Sequence, residues 1–110
     1  GAVKKEAAVL TEDSLKSLGK QLGPQAVVIS MYLNVPTYTI VSLQLSHEDQ
    51  SELGAALMLQ WRLQRAGAKD KDKVNELERA LRDNDKAEVA DVLIDKHKDN
   101  QELTVDSIPT

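Results

Sequence analysis

The sequence predicts an all-α domain, a bundle of six short helices. Three observations carry that reading. Apolar residues recur at spacings of three and four in successive stretches, the period of a helical face. Polar clusters or a Gly-Pro pair break the pattern at short intervals, where helices start and stop. The core supply is aliphatic: 41% of the 110 residues are hydrophobic, but only 3% are aromatic and none is Phe. That suits packed helices better than a small β-sandwich.

Thr11-Glu12-Asp13-Ser14 is a helix-start cluster, and Leu15, Leu18 and Leu22 follow as one apolar face. Gly23-Pro24 ends this first helix, since Gly suits a C-cap and Pro cannot continue the hydrogen bonding. The run Gln25–Val35 carries Val27, Val28, Met31 and Tyr32. Its β-branched cluster Val27-Val28-Ile29 has strand propensity, but Val28, Met31 and Tyr32 fit a 3.6-residue period and no partner strand is obvious nearby, so a second helix is expected. Val35-Pro36-Thr37 reads as a turn and cap. Tyr38–Leu45 reads as a short third helix bearing Ile40, Val41, Leu43 and Leu45.

Ser46-His47-Glu48-Asp49 is a polar break, with Ser46 and Asp49 spaced like a capping box. A long fourth helix is expected from about Asp49 to Arg65, with Leu53, Ala56, Leu57 and Trp61 inward. Gly54-Ala55-Ala56 offers small residues where another helix can cross closely. Trp61 reads as a core anchor, its burial contributing roughly 3 kcal/mol or more. Ala66–Lys73 reads as a charged loop. Val74, Leu77, Ala80 and Leu81 mark a fifth helix. After the break Arg82–Asp85, Ala87, Ala90, Leu93 and Ile94 line a sixth, widened by Val89 and Val92. Lys96-His97-Lys98 closes it, where cations complement the helix dipole. Residues 11–98 are thus the expected bundle, 1–10 a flexible N-terminal segment and 99–110 an extended C-terminal tail.

The net charge of -4 argues against nucleic acid as the main partner, because phosphate binding needs a basic surface. With no Cys there is no disulfide framework and no thiolate zinc site. No apolar run approaches the roughly 18 residues of a membrane span, and the longest, Ala26–Leu33, is broken by Ser30. The expected location is cytoplasmic, alone or as the intracellular part of a larger, membrane-anchored protein. His47 and His97 form no His-x-x-x-His pair, and neither a nucleophile elbow nor a Gly-rich phosphate loop is present. An enzyme is not expected, and neither is a cofactor. Asp70-Lys71-Asp72 and Asp83-Asn84-Asp85 each begin like a calcium loop. They fail at the fifth position (Val74, Ala87) and the twelfth (Leu81, Ile94), so they read as solvated breaks.

Charge is unevenly placed. Arg62, Arg65, Lys69, Lys71 and Lys73 cluster at the end of the fourth helix and the loop after it. Asp83, Asp85, Glu88 and Asp91 gather at the junction of the fifth and sixth helices, and Glu48, Asp49 and Glu52 open the fourth. Separated patches of opposite sign let one copy dock on another, in a heterologous contact that need not close into a dimer.

Leu57-Met58-Leu59-Gln60-Trp61, the charged loop, Leu77-Glu78-Arg79-Ala80-Leu81 and Lys86-Ala87-Glu88-Val89-Ala90-Asp91-Val92-Leu93 together resemble the death-domain superfamily. The resemblance spans about residues 11–98 and is most specific in the second half. Where many members carry a Trp near the start of helix 2, this chain has Gln25-Ala26-Val27. The resemblance implies a six-helix antiparallel bundle of Greek-key type that binds other death-fold domains, assembling complexes in apoptotic or innate-immune type signalling. It also implies an interface between the end of helix 4 and the helix 5–6 loop: Arg62, Arg65 and Lys69 against Asp83, Asn84 and Asp85. A second family contact sets helices 1 and 4, here Lys16, Lys20 and Glu52, against helices 2 and 3. Two other readings stand beside this one: a helical nucleic-acid-binding domain using the Arg62–Lys73 stripe, and a purely structural bundle within a larger protein.

Overall fold

Thr11 has extended backbone, and its hydroxyl accepts a hydrogen bond from the Ser14 amide at 3.2 Å, so the chain enters helix α1 (Glu12–Leu22) with one orphan amide satisfied. Leu15, Leu18 and Leu22 are its buried face, as the spacing predicts. Gly23, at φ +56°, closes the helix by donating its amide to the Gly19 carbonyl. The computed structural model describes residues 6–110. Five further α-helices follow: α2 (Gln25–Tyr32), α3 (Thr37–Ser46), α4 (Gln50–Gln64), α5 (Asp70–Asp83) and α6 (Ala87–Lys98). Single 3-10 turns at Ala8–Leu10 and Val105–Ser107 flank them, and no strand occurs among the described residues. The Cα radius of gyration of 13.1 Å is that of one compact domain of this size.

The tightest packing is α1 against α4, and two glycines allow it. A Cβ on Gly19 would fall 2.6 Å from the Ala55 amide nitrogen and nearer still to the Gly54 carbonyl. A Cβ on Gly54 would fall 2.8 Å from the Gly19 carbonyl carbon. The crossing expected at Gly54-Ala55-Ala56 is therefore backbone against backbone, with α1 as the partner. Around this pair α2 and α3 pack on α4, and α6 packs on α5. Trp61 is fully buried and belongs to one core cluster with aliphatic residues of every helix.

Several elements add to or differ from the sequence expectation. Helix α2 buries Ala26, Ile29 and Ser30, while Val28, Met31 and Tyr32 are exposed. Nearly every position from 26 to 33 is apolar, so periodicity does not choose the inward face. Contact with α4 chooses it, and the small Ala26 sits opposite Gly54. In α3 only Ile40 is buried, while Val41 and Leu45 are exposed and Leu43 is half-buried. The predicted capping box at Ser46 is replaced by a simple cap: α3 runs through Ser46, and Asp49 accepts the Glu52 amide at 3.0 Å to start α4. On α4, Ala55 and Met58 are buried while Ala56 is half-buried. The predicted loop Ala66–Lys73 ends early, because α5 begins at Asp70. Its core residues Val74, Leu77, Ala80 and Leu81 are those expected. On α6, Ala87 is exposed and Val89 is buried.

Buried residues also lie on both sides of residues 11–98. Val9 and Leu10 on one side, and Leu103 and Ile108 on the other, are core residues. They lie in short turns with no periodic stripe, so periodicity does not reveal them. Residues 1–5 of the expected N-terminal segment lie outside the described residues. Ser14 joins the two flanks: its buried hydroxyl donates to the Ala8 carbonyl at 2.6 Å and accepts from the Leu103 amide at 2.9 Å.

Candidate interaction surfaces

Helix α5 has 14 residues, so its ends lie about 20 Å apart. The two charged corners predicted from the sequence sit at those ends. At the first end the structure divides the cations into two groups. Arg62, in the last turn of α4, is half-buried and engaged within the chain. Its Nη2 lies 2.7 Å from Glu6 Oε2, its Nε 3.1 Å from the Leu10 carbonyl and its Nη1 3.7 Å from Glu12. The Glu6 hydrogen bond holds the Arg62 guanidinium above its already high range, with desolvation opposing. Arg65 pairs with Glu76, and Lys73 is buried with its Nζ 3.5 Å from Asp70. Lys69 and Lys71 are exposed, and no ion pair among the described residues engages them. The outward positive charge of this corner therefore belongs to Lys69 and Lys71, with the exposed Asp72 beside them, and not to Arg62 and Arg65. The reason is that Arg62 and Arg65 close the fold against Glu6, Glu12 and Glu76.

At the second end, Asp85 takes a left-handed backbone (φ 62°), which Asp tolerates better than most residues, and the chain turns from α5 into α6. Asn84 is turned inward: its Nδ2 donates to the Ala80 carbonyl at 2.7 Å. Asp83 accepts a short hydrogen bond from the Tyr32 hydroxyl of α2. That bond, ahead of desolvation and the Asp83 charge, pushes the Tyr32 hydroxyl above the usual tyrosine range. Arg82 bridges Glu78 and Asp91, at 2.9 Å each. Asp85 and Glu88 remain exposed, at the rim of an open depression completed by Lys86, Val89 and Pro109.

The other nominated residues are placed less productively. Lys16 and Lys20 project from α1 and Glu52 from α4, all exposed, and no ion pair among the described residues joins them. The helices that would face them in a partner carry no charge to match. Between Lys20 and Glu48 there is no Asp, Glu, Lys or Arg, in a chain that is otherwise 29% charged.

That uncharged stretch holds most of the exposed large apolar residues. Among the described residues eight large apolar side chains are exposed, and six of them are on α2 and α3: Val28, Met31, Tyr32, Tyr38, Val41 and Leu45. Tyr38 is 78% exposed and Leu45 83%. Concentration on two successive helices is what distinguishes a surface with a role from scattered apolar residues. The signal available in the sequence was the charge gap itself, together with two short helices apolar on all sides. Compared with protein-family models, with curated proteins and with solved structures, the chain matches none.

Proposed function

We propose that this chain is a homotypic protein-interaction module of death-domain type, a six-helix antiparallel Greek-key bundle that binds domains of its own kind in cytoplasmic signalling assemblies. The observation that carries the reading is the placement of opposite outward charges at the two ends of one rigid helix. Lys69 and Lys71 stand at the start of α5, and Asp83, Asp85 and Glu88 at its end and just beyond. Charges about 20 Å apart exceed a Debye length at physiological salt and do not neutralise one another. A second copy brings the complement to each end, and the contact is head-to-tail, so it propagates or closes into a ring. The six-helix order, the buried Trp61 near the end of α4 and the short α5–α6 turn support the death-domain comparison.

The test is assembly measured by light scattering across a salt series. Lys69→Glu with Lys71→Glu should weaken association by about tenfold or more while leaving the melting temperature nearly unchanged, because both side chains are exposed. Arg62→Glu is the poorer probe, since it also breaks the bonds to Glu6 and Leu10. Growth into assemblies larger than a dimer that ignores both the lysine reversal and added salt rejects the proposal. Nucleic-acid binding is the weaker reading. Arg62, Arg65 and Lys73 are paired internally, and Asp72 lies between Lys71 and Lys73. A low-salt gel shift with retardation would favour it instead.

A further inference from the structure

We infer that α2 and α3 form a second, apolar interface that pairs with the same two helices of another copy of this chain. This contact does not rest on the charged corners, although Tyr32 touches Asp83 of the second corner. Val28, Met31 and Tyr32 lie at i, i+3 and i+4 on α2, and Tyr38, Val41 and Leu45 at i, i+3 and i+7 on α3, so each helix presents one stripe to solvent. The opposite side of each helix is spent on the core through Ala26, Ile29 and Ile40. The exposed polar residues of the two helices, Gln25, Thr37, Ser42 and Gln44, are uncharged, and charge meets the stripes at the Tyr32 end, where Asp83 and Arg79 of α5 lie beside the ring.

Charge identifies the occupant. A face without a formal charge from residue 21 to residue 47 offers no ion pair to an acidic or basic partner. The rest of this chain's surface, with exposed Lys16, Lys20, Glu48 and Glu52 flanking the stretch, would desolvate its charges against such a face without compensation. The α2 and α3 helices of a second copy bring no such charges, and Asp83 beside Tyr32 already accepts the tyrosine hydroxyl. An uncharged apolar surface is complementary to itself, and pairing it with itself gives an isologous, two-fold contact. The six side chains expose on the order of 600 Å² together, against roughly 800 Å² per partner in a standard interface once a polar rim is included. The area is therefore sufficient for a reversible dimer.

Sedimentation equilibrium of the whole chain at low and at high salt tests this. The expected result is a monomer–dimer equilibrium that persists at high salt, since apolar contacts are not screened. Tyr38→Ser with Leu45→Ser should weaken it at least tenfold, with helical circular dichroism and melting temperature kept as the fold check. Val41→Ser is a second, milder variant that should weaken it less. Lys69→Glu with Lys71→Glu should leave this dimer in place, which separates it from the charged-corner contact. A monomer at every concentration at high salt overturns the inference. So does a dimer indifferent to the Tyr38 and Leu45 substitutions, or a monomer that instead binds zwitterionic phospholipid vesicles.

Discussion

Ser14 carries more of the fold than its size suggests, because one hydroxyl satisfies two backbone groups from opposite flanks of the chain. It donates to the Ala8 carbonyl and accepts the Leu103 amide. Ser14→Ala removes both bonds at once; the Ala8 carbonyl keeps the Thr11 hydroxyl within 3.1 Å, but the buried Leu103 amide is left unmet. A group left in that state costs about 1–3 kcal/mol. Thermal unfolding should show a midpoint lower by several degrees; an unchanged midpoint would mean that neither bond matters. Ser30 is the opposite case. It is fully buried on α2, and its hydroxyl has no partner among the described residues. Ser30→Ala therefore removes a desolvated group and adds helix propensity, for a gain of roughly 1 kcal/mol. A higher denaturant midpoint with unchanged slope is the expected result. The two serines are both buried in helices, yet their substitutions should move stability in opposite directions, because only one of them is hydrogen-bonded.

At the scale of elements, the sequence was informative where a helix has two different sides. In α1, α5 and α6 charged residues occupy one side and Leu, Val or Ala the other, so spacing alone identified Leu15, Leu18, Val74, Leu77 and Leu93 as core. In α2 and α3 apolar residues surround the axis, and spacing had no contrast to read. There the inward side is set by the tertiary contact with α4, where Ala26 fits beside Gly54 and a larger residue would not. The candidate site was legible to the same extent. The charged corners were visible as clusters, but a cluster does not say which members are spent internally. That Arg62 reaches Glu6, 56 positions away, is fixed only by folding. The glycine pair offers a direct test at this scale. Gly54→Ala places a methyl group against the Gly19 backbone, which cannot yield as a side chain would, so α1 must move away from α4. Overpacking of this kind typically costs 1–3 kcal/mol. The helix-propensity gain of Ala over Gly, about 1 kcal/mol, acts in the other direction. Net destabilisation in a denaturant titration is expected. Net stabilisation would show that the two helices separate easily.

The whole molecule is closed by contacts between residues far apart in sequence. The Ala8 amide donates to Asn100, the Thr11 hydroxyl to Glu102 and the Gln21 side chain to the Ile108 carbonyl, while the Ala7 amide donates to Asp70. Leu103 and Ile108 are buried with the helices and belong to the same core as Trp61. If the segment after α6 were an appended tail, Leu103→Ala would change nothing that Trp61 reports. As an integral part of the core it should destabilise by about 2–5 kcal/mol, the usual range for a buried Leu truncated to Ala. The loss should appear as one shifted transition, since a domain of this size unfolds cooperatively. Far-UV circular dichroism follows the helices, and Trp61 fluorescence follows the buried centre of α4. Coincident midpoints, both lowered by Leu103→Ala, are the expected outcome. A shift in neither probe would detach the segment from the core, and a shift in only one would divide the molecule into separate folding units.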